Sequence, residues 1–174
     1  MRVIPLTKGH VAIVDEEDYG RVSMMRWYAH SEGYAVNDGR KRGGSGMVLM
    51  HRFILNAPVG IDVDHVDGDG FDNRRVNLRM ATRSQNNMNS RKRDRCTSRF
   101  KGVSWGKRDR KWVAQIKKDG VHYNLGYFSE ELLAAKAYDR AAKMMFKEYA
   151  RLNFPEEDRR QYESKSDPAH MSGC

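Results

Sequence analysis

Asp64 and His65 stand side by side in this chain, with Asn77 and then Asn86 following in a polar, arginine-flanked stretch. Together they supply what hydrolysis of a phosphodiester with one divalent ion requires. A carboxylate binds the ion, an imidazole takes a proton from water near neutral pH, an amide orients that imidazole, and a second oxygen completes the protein's share of the metal sphere. Carboxylate and amide oxygens are the hard donors that Mg²⁺ prefers, and water and phosphate fill its remaining positions.

The surrounding residues set where these groups sit. Ile61 and Val63 lead into Asp64-His65 as a short β-prone run that stops at Asp67-Gly68-Asp69-Gly70, where glycine permits the turn. Val76, Leu78 and Met80 then alternate with Asn77 and Arg79, the period of a half-buried strand, and Thr82 or Ser84 is placed to cap a short helix carrying Asn86. The expected order is strand, loop, strand, helix. In it Asp64 and Asn86 converge on one cation, while His65 points to the other side of its strand.

Val63-Asp64-His65-Val66-Asp67-Gly68, Asn73, Asn77-Leu78-Arg79, Ala81-Thr82 and Asn86 resemble the HNH nucleases, in the branch found among phage and intron homing endonucleases. The resemblance implies an α+β fold with a ββα-metal (His-Me finger) core. It also implies His65 as general base, Asn77 as the amide orienting it, Asp64 and Asn86 as ligands of one Mg²⁺ or Mn²⁺, and products ending in 5′-phosphate and 3′-hydroxyl. Asn86 stands where the family name expects a histidine, and Asn87 is its alternative as second ligand. A calcium loop starting at Asp62 is disfavoured, because Asp67 occupies its glycine position and Asn73 its final glutamate position. His51 lies beside an apolar run and reads as a packed residue outside the catalytic set.

The 174 residues carry a formal net charge of +9, which suggests an anionic partner. Basic residues interleave with Trp105, Trp112, Tyr123 and Tyr127 on expected strands instead of lining one helix face, so nucleic acid is favoured over a membrane. Cys96 and Cys174 are too few for a zinc knuckle or disulfide framework. The first residues lack the apolar core of a signal peptide, and no segment is long enough to span a bilayer. The expectation is a soluble protein of the host cytoplasm, acting as a monomer on double-stranded DNA with no protein partner.

Residues 1–50 read as short β elements packing on a nuclease core at 51–90, with turns at Asn37-Asp38-Gly39 and Gly43-Gly44-Ser45-Gly46. Residues 91–98 form a basic linker whose Arg91, Lys92 and Arg93 either lie in solvent or track phosphates. From 99 to 155, three short strands precede a helix that Ser129 can cap, with Ala135, Tyr138, Ala142, Met145 and Tyr149 at helical spacing. The sheet face away from that helix would present Lys101, Gln115, Lys117, His122 and Asn124. Such side chains suit base edges in the major groove. Trp105 is divided between backbone contact and packing.

Phe100-Lys101-Gly102-Val103, Trp112, Ala114, Ile116, Leu125-Gly126, Phe128, the alanine-rich run from Ala134 to Ala142 and Asn153-Phe154-Pro155 resemble the Apetala-two/ethylene-response-factor DNA-binding domain. That implies a three-stranded antiparallel sheet laid in the major groove with one α-helix behind it. Ser104 and Asn124 stand where plant members carry Arg and Trp, so the plant target does not transfer. Ser104, Trp105 and the turn residues Arg108 and Arg110 complete the expected DNA-facing set. Residues 156–174 read as a polar tail.

The sequence therefore points to a metal-dependent endonuclease that cuts one or both strands of recognised duplex DNA. The rivals are a non-catalytic DNA-binding regulator on an HNH scaffold and an RNA-directed nuclease.

Overall fold

The computed structural model describes residues 1–39, 46–92 and 97–156. The basic turn at 40–44, Arg93, Cys96 and the tail from 157 onward lie outside the described residues. The chain forms two compact units, Met1–Asn89 and Ser90–Cys174. Both combine helices with small antiparallel sheets.

In the first unit, β1 (Arg2–Pro5) and β2 (Val11–Val14) form an antiparallel hairpin. Helix α1 (Glu16–Ser23) follows, then a sheet of β3 (Tyr28–Ala29), β4 (Ala35–Asp38) and β5 (Met47–Leu49), and helix α2 (Met50–Leu55). Strand β6 (Asp62–His65) pairs antiparallel with β7 (Leu78–Ala81), and α3 (Arg83–Asn89) comes next. Ile4, Val14, Val22, Trp27, Met50, Ile54, Val63 and Leu78 share one core, so residues 1–50 and the β6–β7 hairpin bury apolar surface together.

Two parts of residues 1–50 depart from the expected run of strands. Glu16, Glu17 and Asp18 occupy the first turn of α1, where carboxylates favour the helix N-terminus, and Asp18 and Val22 point inward one turn apart. Asn37 and Asp38, expected in a turn, belong to β4, because the Asn37 amide donates to the Arg26 carbonyl and holds the strand in place.

Thr82 starts α3 with a reciprocal cap. The Gln85 N–H donates to the Thr82 hydroxyl at 3.2 Å and the Thr82 N–H to Gln85 Oε1 at 2.8 Å.

In the second unit, β8 (Val103–Gly106), β9 (Lys111–Lys118) and β10 (Val121–Phe128) form an antiparallel sheet in the order β10-β9-β8, and α4 (Glu131–Phe146) follows. Phe100, Val103, Ala114, Ala134, Ala135 and Ala137 make the core between sheet and helix. The alanines bring α4 close. A Cβ at Gly102, whose φ is +74°, would lie 1.9 Å from the Tyr138 ring. The N-cap position of α4 is Glu130 with no side-chain cap bond, so Ser129 does not serve there. Glu131 instead accepts from Ser98 Oγ at 2.7 Å and from the Arg99 N–H at 3.2 Å, fastening the start of the unit.

Candidate active site

Asp64 and His65 end the β6 side of the hairpin, and alternation sends them to opposite sides. Asp64 is 5% exposed and lies across from Arg79 in the β6–β7 register. Arg79 Nη2 and Nε donate to Asp64 Oδ2 at 2.6 and 2.9 Å. The amide of Asn89, in the last turn of α3, donates to Asp64 Oδ1 at 2.9 Å and to the His65 carbonyl at 2.8 Å. Asn86, one turn earlier, meets Asp62 instead, with its Nδ2 3.0 Å from Asp62 Oδ2. Asp62 and Asp64 thus share one side of β6, each facing an asparagine of α3. The sequence reading had paired Asp64 with Asn86; the amide on Asp64 is that of Asn89. Asn87 is exposed.

His65 is 4% exposed and its Nε2 is buried with no hydrogen-bond partner. Burial lowers its pKa below the ordinary imidazole value, opposed by the neighbouring Asn73 amide and by Asp67, Asp64 and Asp69. Asn73 is the amide beside this ring, yet no well-aligned hydrogen bond joins them, and Asn73 Oδ1 is also buried without a partner. The Asn73 backbone is fixed by β2: its N–H donates to the Ile13 carbonyl at 2.8 Å, and the Ile13 N–H to the Phe71 carbonyl at 2.9 Å.

Asn77, expected to orient His65, makes other bonds. Its Nδ2 donates to Asp67 Oδ1 and the Asp72 carbonyl, both at 2.9 Å, and its Oδ1 accepts from the Asp67 N–H at 3.0 Å. These tie together the loop between β6 and β7, so the Asn77 amide is engaged by Asp67 and Asp72. Asn73, Arg79 and Asn89 are the neighbours that sequence reasoning did not assign. Asn73 and Arg79 lay inside the recognised pattern, and Asn89 stands one helical turn beyond Asn86, which is the signal that pointed to it.

Among the described residues, no three His, Cys, Asp or Glu side chains group to hold a metal. The donors at hand are two carboxylates, Asp62 and Asp64, and the amides of Asn86 and Asn89. The carboxylates accept from the amide nitrogens of Asn86 and Asn89 and, at Asp64, from Arg79; carboxylate and amide oxygens are the donor types that a hard divalent ion takes.

On the second unit the strand register sorts the expected contact residues. Gln115 pairs with Asn124, Lys117 with His122, and Val113 with both Ser104 and Tyr127, so these side chains share the sheet face away from α4. Gln115, Lys117, His122, Asn124 and Ser104 are exposed on it. Tyr127 and Lys111 join them, unassigned by sequence. Trp105 pairs directly with Trp112 and packs edge-on against it at 5.0 Å, which puts it on the helix side, opposite Gln115. Arg108 and Arg110 are exposed in the β8–β9 turn, with Arg108 3.1 Å from Asp109. Lys101 precedes the sheet and reaches the Ser90 carbonyl at 2.7 Å. Arg91 is exposed and Lys92 half-buried.

A family model described as HNH endonuclease matches residues 56–88, the span from the end of α2 to α3. Over 152 residues the chain is 31% identical to a protein of Acanthamoeba polyphaga mimivirus named "Uncharacterized HNH endonuclease L560", covering 84% of this chain and 76% of that one. The chain belongs to the HNH endonuclease family. This HNH endonuclease also matches an AP2 domain model at residues 98–148, across the sheet and α4. It is 44% identical over 72 residues to the Arabidopsis thaliana "Dehydration-responsive element-binding protein 2E", covering 34% of this chain and only 28% of the plant protein. To "Protein 3.8" of Escherichia phage T7 it is 32% identical over 81 residues, 47% of this chain and 65% of the phage protein. No solved structure matches it. Among the described residues, no helix of the endonuclease is long and apolar enough to cross a membrane.

Proposed function

We propose that this HNH endonuclease hydrolyses phosphodiester bonds of sequence-recognised double-stranded DNA in a divalent-metal-dependent reaction of the homing type. Its first unit would carry the ββα-metal chemistry and its second would carry recognition. The observation that supports this best is the buried polar cluster at the β6–β7 hairpin, where the His65 imidazole lies beside the Asn73 amide, with neither His65 Nε2 nor Asn73 Oδ1 in a well-aligned hydrogen bond, next to the fully paired Asp64. Such atoms are costly in a packed scaffold and are kept where chemistry uses them.

In the reaction His65 takes the proton of the attacking water, which a neutral imidazole does without first losing a proton of its own. Asn73 borders the ring, and Asn77 secures the loop that carries Asn73 from the end of β6. Asp64, with Asn86 or Asn89 across from β6, would hold Mg²⁺ or Mn²⁺, and Asn89 keeps the carboxylate turned toward α3. When bound, the ion supplies Lewis-acid stabilisation of the charge on the phosphoryl group and the departing 3′-oxygen. The exposed sheet face, with Gln115, Lys117, His122 and Asn124, would read base edges in the major groove, while Arg91 and Lys92 contact phosphates. One chain suffices for this on DNA.

Incubating the purified protein with duplex DNA, with and without Mg²⁺, tests the reading. Cleavage that stops in EDTA and in His65→Ala, with gel-shift affinity retained in the variant, is the expected result. Tight binding with no cleavage by any divalent ion would instead make the protein a DNA-binding regulator.

A further inference from the structure

Two histidine rings meet in the first unit. His51 on α2 is 5% exposed, and its ring centroid lies 4.9 Å from that of His65 with the planes at 90°. Tyr34 completes the cluster, 5.5 Å from His51 and 5.9 Å from His65. His51 Nδ1 is buried without a hydrogen-bond partner, and ring contacts with His65 and Tyr34 hold this side of the imidazole. Ring pairs at these separations favour edge-to-face geometry.

The wall is rigid. Met50 and Ile54, which flank His51 on α2, are fully buried in the core and prevent the helix from turning His51 outward. Gly70 fits so closely beneath Tyr34 that an added Cβ would stand 2.2 Å from the Gly33 carbonyl oxygen and 2.7 Å from Tyr34 Cδ1. A base must also aim its lone pair in the plane of its ring, so a swing of that plane displaces the accepting nitrogen from the water it serves.

We propose that His51 is a positioning residue for cleavage, its ring fixing the plane of the His65 imidazole from one side while Tyr34 braces both. The proposal rests on the reading of His65 as the base. Burial, reinforced by the charges of His65 and Arg52, lowers the pKa of His51 to about 3, so it packs as a neutral ring.

The experiment compares full-length wild type, His51→Ala and His51→Phe in three measurements. These are the single-turnover cleavage rate on saturating duplex DNA with Mg²⁺, gel-shift affinity, and the ¹H–¹³C resonance of the His65 imidazole in the protein alone. His51→Ala is expected to slow cleavage about 10- to 100-fold, leave DNA affinity unchanged, and shift and broaden the His65 resonance. His51→Phe, which restores a ring, is expected to recover most of the rate and the resonance. A phenylalanine variant as slow as the alanine variant would mean that a nitrogen of His51 matters, and would overturn ring packing. A rate loss that only tracks the folded fraction, with the His65 resonance unmoved, overturns the proposal as well. A wild type that cuts no duplex sinks the base reading itself, whereas a wild type that cuts while His51→Ala cuts equally fast sinks the proposal alone.

Discussion

At the residue scale, two asparagines of the β6–β7 region have separable duties. Asn77 holds three bonds of the loop, so Asn77→Ala should remove about 1–3 kcal/mol of stability by taking the donor from the buried Asp72 carbonyl and two bonds from the exposed Asp67. Chemical denaturation measures this. Asn73→Ala should instead lower the cleavage rate about 10- to 100-fold, the usual effect of losing a group that supports a reacting side chain. If Asn77→Ala slows cleavage while stability holds, the assignment reverses and Asn77 orients the base as the family pattern implies. Asp64 and His65 were legible because they are adjacent and chemically unmistakable. The partners were not. Which of Asn73, Asn77, Asn86 and Asn89 meets which acceptor depends on how β2 and α3 seat against the hairpin, and all four offer the same donor and acceptor to any partner.

At the element scale, α1 and the β6–β7 loop are joined by charge. Asp18 is 1% exposed and accepts from Arg75 Nε at 2.7 Å and from Arg21 Nη2 at 2.7 Å. Burial pushes its carboxyl up, but Arg75 and Arg21 outweigh that and hold its pKa below the ordinary carboxylate value. Because the folded pKa is the lower one, the stabilisation is complete above the unfolded value, roughly 3.9, and is lost as pH falls through the folded value. Thermal midpoints should therefore be level above about pH 5 and fall below about pH 4. Asp18→Asn should cost about 1–3 kcal/mol at neutral pH, since Arg75 is half-exposed, and should flatten the acid limb. An acid limb of unchanged slope would place the sensitivity elsewhere.

Strands β6 and β7 and helix α3 were readable from alternation and from Thr82, one of two candidate caps. Helix α1 was not, because its eight residues include Gly20 and only Asp18 and Val22 point inward, too little apolar periodicity to outvote the strands around it. In the second unit Gly102 is the element-scale weak point. A Cβ there meets both the Tyr138 ring and the Gln115 carbonyl oxygen, 2.7 Å away. Gly102→Ala should lift α4 off the sheet, abolishing DNA affinity while metal-dependent nicking by the first unit persists, as gel shifts and nicking assays on one preparation would show.

For the whole molecule, the division at Asn89 allows the proposed cleavage and the proposed recognition to be tested apart. The first unit closes its own core without any residue beyond Asn89, so a fragment ending near Ser90 should fold and retain weak metal-dependent nicking. It should lose most affinity and sequence preference, because reading bases requires side chains presented to groove edges, whereas hydrolysis needs access chiefly to one phosphate. Within the full chain, Gln115→Ala and Lys117→Ala should each relax discrimination by roughly 1–3 kcal/mol per lost base contact. Tyr127→Ala, on the same face, should alter preference as well. Trp105→Ala, packed on the helix side, should change stability more than preference. Neutralising Arg91, Lys92 and Arg93 should weaken binding to every sequence and flatten its dependence on salt, since each phosphate contact contributes by releasing counterions. Cleavage of a randomised-site library by the full chain, the fragment and these variants decides among them, and a fragment with the full chain's target profile would move recognition into the first unit.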